Sequence, residues 1–251
     1  MNAPLLETRS LCKNFGALAA ATDINFRLES GARHALIGPN GAGKTTFINL
    51  LTGVFLPSNG QVLLRGRDIT TMQQAARVKL GIARTFQINR LFRGLTVLEN
   101  VYIAVAERLG VAPSMIKPAG MRREVVAESM RLLQTLKLAD DAEHRISELP
   151  YGRQRLVELA IALGLQPEVL LLDEPAAGVP SAESHIILDA VAALPKHIGV
   201  LIIDHDMDLV FRFAERITVL VGGAVFAEGT PKEIGSDQRV RDVYLGQAHH
   251  G

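Results

Sequence analysis

Residues 34–46 read His34-Ala35-Leu36-Ile37-Gly38-Pro39-Asn40-Gly41-Ala42-Gly43-Lys44-Thr45-Thr46. An apolar run enters a glycine-rich turn, and a segment with Phe47, Ile48 and Leu51 at helical spacing leaves it. From Gly38 to Thr45 this is the phosphate-binding loop pattern, in the strand-to-helix context that gives the pattern its meaning. The chemistry demands these residue types. Glycines let backbone N–H groups converge on phosphate oxygens without Cβ clashes. The helix N-terminus adds the positive end of its dipole. Lys44 supplies a point charge for the β and γ phosphates, and Thr45 offers a hydroxyl to Mg²⁺. The loop from Gly38 to Thr46 is therefore expected to hold ATP with magnesium, and a chain that carries it is expected to be α/β.

A second chemical feature lies downstream. Val169-Leu170-Leu171-Leu172-Asp173-Glu174-Pro175 is an apolar run ending in two carboxylates. Asp173 stands where an acid would hold the magnesium shell, through water. Glu174, one residue on, is placed to polarise an attacking water.

Composition excludes several other classes. Apolar residues make up 48% and charged residues 21%, with 27 basic against 26 acidic side chains and a formal net charge of +1. No charge imbalance marks a nucleic-acid or lipid partner. Cys12 is the single cysteine, so no intrachain disulfide forms, and it reads as a small buried hydrophobe. Met1 to Ser10 has no apolar block of the secretory kind. Apolar stretches such as Val169–Leu172 and Val200–Ile203 are far short of the roughly 18 residues a membrane helix needs. They read as buried parallel strands, apolar on both faces. His34, His144, His185, His197, His249 and His250 lack the paired spacing of a zinc site.

The order of patterns suggests an organisation. Ile24, Phe26 and Leu28 alternate with polar residues, Gly31 turns the chain, and His34–Ile37 returns as a strand. Gln61–Leu64 is a further strand, entered from the Pro57-Ser58-Asn59-Gly60 turn. From about Leu91 to Leu149 the pattern becomes helical. Thr96 and Glu99 have capping-box spacing ahead of Val101, Ile103 and Val105. Gly110 to Gly120 reads as a loop, and Val125, Val126, Met130, Leu133 and Leu136 line one face of a long helix. Strands follow at Val169–Asp173 and Val200–Asp204, and a hairpin turns at Gly222-Gly223. Strand–helix alternation on both sides of a helical insert predicts a parallel α/β core with a helical subdomain.

Between the loop and the acidic strand stands Leu149-Pro150-Tyr151-Gly152-Arg153-Gln154-Arg155, ahead of Leu156, Leu159, Ala160 and Leu163 at helical spacing. With it come Gln87 in Ala83-Arg84-Thr85-Phe86-Gln87, His205 in Ile202-Ile203-Asp204-His205-Asp206, and Phe15 in Lys13-Asn14-Phe15-Gly16. In order and spacing this set resembles the ATP-binding subunits of ABC transporters over essentially the whole chain. The resemblance implies one ATPase domain over 1–251. Its catalytic core and an N-terminal antiparallel β subdomain would span about 1–87 and 164–251, and an inserted helical subdomain about 88–163. It implies that Phe15 stacks on adenine, that Gln87 reaches the magnesium, and that His205 meets the γ-phosphate. It implies that Pro150, Tyr151, Gly152 and Arg153 act in trans on a neighbouring subunit's nucleotide. A finer resemblance is to the branched-chain amino acid branch, carried by Ala83–Phe92, Tyr151-Gly152, Asp173–Gly178, Asp204–Leu209 and Val243-Tyr244-Leu245-Gly246. Importers of urea and lipopolysaccharide-export ATPases share parts of it.

What the resemblance implies is a head-to-tail pair that sandwiches two ATPs and drives separate membrane subunits. The chain would sit peripherally on the cytoplasmic face of the membrane, with a solute-binding protein as an indirect partner and no nucleic acid. Two positions depart from the family pattern. Pro150 stands where the general signature has serine, and so lacks both a hydroxyl and an N–H. Pro180 stands where Asp, or Asn in this branch, is usual. Three other readings compete. A P-loop kinase or GTPase would not need the Gln87, Tyr151-Gly152 and His205 set. A soluble ABC protein of ribosomes or DNA usually has two cassettes or a coiled-coil insert. A nucleotide-binding subunit with little turnover is opposed by Glu174 and favoured by Pro150.

Overall fold

The computed structural model describes residues 3–85, 91–111, 122–179 and 181–245. In chain order the strands are β1 (Leu6–Phe15), β2 (Leu18–Leu28), β3 (Arg33–Ile37), β4 (Asn59–Leu64), β5 (Arg67–Asp68), β6 (Ile82–Arg84), β7 (Val169–Asp173), β8 (Gly199–Ile203), β9 (Arg216–Val221) and β10 (Ala224–Gly229). The α-helices are α1 (Lys44–Thr52), α2 (Gln74–Lys79), α3 (Val97–Arg108), α4 (Arg123–Thr135), α5 (Tyr151–Gly164), α6 (Ser181–Ala192), α7 (Met207–Phe213), α8 (Pro231–Ser236) and α9 (Gln238–Leu245). The chain divides into two compact units, one of 1–82, 168–174 and 195–251, the other of 83–167 and 175–194. Residues 175–194, assigned to the core in the sequence reading, thus group with the helices. None of the helices described is long and apolar enough to cross a membrane.

The first unit is built on two sheets. One is antiparallel, in the order β2-β1-β4-β5. The other runs β10-β9-β3-β8-β7-β6, in which β9, β3, β8 and β7 run parallel to one another and β10 is antiparallel to β9. All five residues of β7 and all five of β8 are buried, which is why these segments read as unbroken apolar runs. The inward face of β2, Ile24, Phe26 and Leu28, joins Phe47, Ile48 and Leu51 of α1 and Leu36, Leu171 and Leu201 of the parallel strands in one core. The rings of Phe26 and Phe47 meet edge to face at 5.5 Å. Cys12 departs from expectation. It is half-buried at a bulge of β1, where its Sγ accepts the Asp23 N–H at 3.2 Å.

Two buried polar groups went unnoticed in the sequence. Arg77 of α2 has no exposed surface. Its guanidinium donates to the carbonyls of Leu50 and Leu51 at 2.7 and 2.9 Å, and to those of Met72 and Thr70 at 3.0 and 2.8 Å. It thereby places a cation at the negative end of α1 and satisfies carbonyls the helix leaves open. Burial lowers its pKa to about 10, against the pull of Asp68. His34 of β3 is buried, with Nε2 2.8 Å from the Thr218 hydroxyl, and that hydroxyl donates to Glu228 at 3.2 Å.

The second unit is helical. Thr96 and Glu99 form the capping box expected at the start of α3. Gly164 lets α5 approach α3 closely, since a Cβ there would lie 3.2 Å from Val105 Cγ2. Arg108 of α3 donates to the Gly164 carbonyl at 2.9 Å and pairs with Glu128 of α4 at 2.6 Å, tying the three helices together. On α4, Val125 and Leu133 are buried, and Val126 and Met130 are partly so; Leu136, the residue after the helix, is buried too. Of the segment Gly110–Gly120, residues 112–120 lie outside the described residues.

His34 generates a pH prediction. Burial lowers its pKa to about 4, with Glu228 opposing and Arg216 assisting. The unfolded chain takes up this proton near pH 6.5 and the folded chain does not. Stability is therefore full above about pH 6.5 and declines as pH falls toward about 4, by at most about 3 kcal/mol. Urea midpoints at several pH values should fall less steeply for His34→Gln than for wild type. Equal slopes would show that another group dominates.

Candidate nucleotide site

Strand register places the site. Ile203 of β8 lies opposite Leu36 on one side and Asp173 on the other. The carboxyl ends of β3, β8 and β7 therefore finish at one level, where ligands meet parallel sheets. Beyond β3 the chain turns through the glycine loop. Gly38, at φ 154°, could not carry a side chain, since a Cβ would stand 2.2 Å from the Leu220 carbonyl oxygen. Gly43, at φ 95°, is the N-cap of α1, and a Cβ there would stand 2.6 Å from the Ala20 carbonyl oxygen. The β9–β10 hairpin pins the loop. The Gly223 N–H donates to the Ala42 carbonyl at 3.0 Å, while the Gly223 carbonyl accepts from Thr22 at 2.8 Å. The sequence predicted this hairpin but not that it braces the loop.

The N-terminus of α1 carries no side-chain cap and no acidic residue, so its first N–H groups and dipole are available to an anion. Lys44 Nζ lies on the loop's own carbonyls, at 2.5 Å from Gly38 O and 3.0 Å from Pro39 O. Burial lowers the Lys44 pKa, and the carboxylates of Glu174 and Asp173 hold it up. The three side chains thus share one electrostatic neighbourhood.

Asp173 is buried at the end of β7. Glu174 follows at φ 47°, a left-handed conformation that costs a non-glycine residue energy and that clusters at functional sites. Its N–H is held by the Ile203 carbonyl at 2.8 Å. His205 projects into solvent with Nδ1 3.6 Å from Glu174 Oε1 and 3.7 Å from Asp204 Oδ1. The Asp204 carboxylate accepts the backbone N–H groups of His205 and Asp206 at 2.8 and 3.0 Å, which fixes the turn that carries the histidine. Burial raises the Asp204 pKa, against those hydrogen bonds. Asp206 caps α7, accepting from Asp208 and Leu209.

Phe15 is 44% exposed, its ring 5.3 Å from that of Phe55 and 5.2 Å from Lys13 Nζ. It is a surface aromatic and not a core one. Phe15, Gly38–Thr46, Asp173, Glu174 and His205 all belong to the first unit. Gln87 and Pro180 lie outside the described residues.

The signature residues Pro150–Arg153 belong to the second unit. Pro150 is the N-cap of α5 and makes no side-chain cap bond. Arg153, expected to face a neighbour's nucleotide, is engaged within its own chain. It pairs with Asp141 and donates to the Lys137 carbonyl at 2.8 Å.

Comparison with known proteins decides the family. The model of the family described as ABC transporter matches residues 21–177. The chain belongs to the ABC transporter family. It is an ATP-binding subunit of that family, whose members hydrolyse ATP to power transport. A second model, branched-chain amino acid ATP-binding cassette transporter, matches residues 224–250 of this ABC subunit. Among its relatives is the high-affinity branched-chain amino acid transport ATP-binding protein LivG of Escherichia coli K12, 38% identical over 99% of this chain and 100% of that one. The corresponding protein BraF of Pseudomonas aeruginosa is 36% identical over the same shares. Of solved structures, the ADP conformation of an ATP-binding cassette from an ABC transporter superposes with a TM-score of 0.86 at 32% identity, covering 97% of this chain and 99% of that one. A nucleotide-free cassette gives 0.84 at 31% identity, covering 96% and 98%.

Lys44 is the one side-chain cation within the loop. Lys44→Ala should weaken Mg-ATP binding at least about a hundredfold, the loss of two charge-assisted contacts. Calorimetry on the purified chain checks this, and wild-type affinity in the variant would contradict the assignment.

Proposed function

We propose that this chain is the ATP-hydrolysing subunit of an importer of branched-chain amino acids, acting beneath separate membrane subunits at the cytoplasmic face of the membrane. The observation that carries the ATPase reading is the joint placement of Lys44, Asp173, Glu174 and His205 at the carboxyl ends of β3, β7 and β8. The amino-acid reading is supported by near-full-length similarity to LivG and BraF and by the match over residues 224–250.

In this reading the adenine of ATP stacks on Phe15. The loop Gly38-Pro39-Asn40-Gly41-Ala42-Gly43 wraps the phosphates, with backbone N–H groups from its residues other than Pro39, and Lys44 exchanges its loop carbonyls for β and γ oxygens. Thr45 and Thr46 cap the phosphates from the first turn of α1. The residues present fit a magnesium ion. Asp173 is a buried hard oxygen donor beside Lys44, Thr45 opens α1, and Mg²⁺ needs only one or two protein oxygens when phosphates supply others. When bound, the ion neutralises phosphate charge, with Thr45, Asp173 through water, and Gln87 as its holders. Glu174 takes a proton from the water that attacks the γ-phosphorus, the bond to the bridging oxygen breaks, and ADP leaves with that oxygen. His205 steadies Glu174 and the γ-phosphate.

Glu174→Gln is nearly isosteric and cannot accept the proton. It should keep ATP affinity within about twofold while turnover falls by about a hundredfold or more. Single-turnover assays on the assembled transporter measure both, and unchanged hydrolysis would rule out Glu174 as the base.

The working unit in this reading is a pair of cassettes, each completing the other's site through Pro150–Arg153. Pro150 offers the neighbour's γ-phosphate neither a hydroxyl nor an N–H. A hydrogen bond to a charged phosphate is worth about 1.5–3 kcal/mol. A homodimer would lose it twice, so the partner is a second, related ATPase, and the site that Pro150 completes is the slower. Pro150→Ser should speed turnover at the partner's site about tenfold and leave this chain's own site unchanged. No effect at either site would mean that the N–H groups of Tyr151 and Gly152 suffice.

A further inference from the structure

Helix α5 begins in an unusual way. Pro150 at its N-cap provides no side-chain acceptor, and no acidic residue stands in the first turn. A good N-cap is typically worth about 1 kcal/mol and fixes the direction in which a helix starts. Here that direction is fixed by side chains further in. Gln154 Nε2 donates to the Leu149 carbonyl at 2.9 Å, and Arg153 is drawn to Asp141 and the Lys137 carbonyl.

Tyr151 does something different. Its ring lies against Gly178, in the turn that follows Glu174 in sequence. A Cβ on Gly178 would stand 3.1 Å from Tyr151 Cε1 and 3.5 Å from Cζ, so the ring fills the place where a side chain would be. Gly178 also has φ 76°, which a glycine adopts without strain. Behind the ring, one helical turn on, the Arg155 guanidinium carbon is 5.0 Å from the ring centroid and pairs with Glu158 at 2.8 Å. Arg155 and Glu158 are both almost wholly covered, so this support is a fixed one. The turn itself is closed by the Val179 N–H to the Ala176 carbonyl at 3.1 Å.

We infer that Tyr151 is a positioning residue for ATP turnover: its ring, braced by Arg155, props the Pro175–Val179 turn against the N-terminus of α5. The inference rests on the ATPase reading above and sharpens the role of Tyr151 within it. The ring is committed to Gly178, which leaves the backbone N–H at the start of α5, not the phenol, to meet a neighbour's phosphate. The signature helix and the turn after Glu174 are then presented to a neighbouring subunit as one piece. A side chain at 178 would be strained by the positive φ and would also crowd the ring at 151.

The test uses full-length chain and the assembled transporter. In the chain, hydrogen exchange reads the amides of residues 176–179 and calorimetry reads ATP affinity at its own loop. In the transporter, steady-state turnover separates kcat from KM. Tyr151→Ala should speed exchange across the turn at least tenfold and lower kcat at least tenfold. ATP affinity and KM should stay within twofold of wild type. Tyr151→Phe should restore both, because the ring carbons make the nearest approach to Gly178. A role in general stability would instead loosen exchange across all of α5 and weaken ATP binding. Unchanged exchange in Tyr151→Ala, or failure of Tyr151→Phe to rescue, would each overturn the inference. Absence of ATP turnover in wild type would count against the ATPase reading instead, and the exchange measurement stands apart from it.

Discussion

Parallel pairing of β3, β8 and β7 in one register is what the rest of the first unit depends on. With Ile203 opposite both Leu36 and Asp173, the glycine loop and the acidic pair emerge at the same edge of the sheet. A shift of one residue would turn side chains to the opposite face and separate Lys44 from its carboxylates. The register is held by burial, since every residue of β7 and β8 is buried. Each fully buried aliphatic side chain there contributes about 1.5–3 kcal/mol.

That placement sets an electrostatic tension. Lys44 is half-buried beside two acids, and its ammonium lies on two loop carbonyls. Glu174 is held in a left-handed conformation by its bond to Ile203. The helix dipole and the first N–H groups of α1 thus stand at the same end of the loop as this cation. Arg77 supports the same helix from the other end, so α1 is anchored by a buried cation at its C-terminus and left open at its N-terminus.

The second unit solves a separate problem with different means. Its signature helix starts at a proline and cannot use a capping side chain. Arg153, Gln154 and Tyr151 each tie the first turn to a different neighbour: the 137–141 segment, the preceding carbonyl, and the turn at Gly178. These contacts stand where a serine cap would otherwise set the geometry.

Much of this was legible in the sequence, because local chemistry wrote it. The glycine spacing before Lys44, the apolar run ending in Asp173-Glu174, the Thr96–Glu99 capping box and the Gly222-Gly223 hairpin each depend on residues close in the chain, and each predicts its own element. Tertiary structure decided what depends on residues far apart. Arg77 looks like any surface arginine until α2 packs on the end of α1, and His34 looks like any strand residue until Thr218 and Glu228 close over it. The half-exposure of Cys12 came from a bulge that strand propensity does not encode. The engagement of Arg153 with Asp141, and of Tyr151 with Gly178, came from helix packing and a positive φ. Sequence specifies which groups a chain carries and the local turn they sit on. Only the packed fold determines which distant carbonyl, ring or carboxylate removes each of those groups from water.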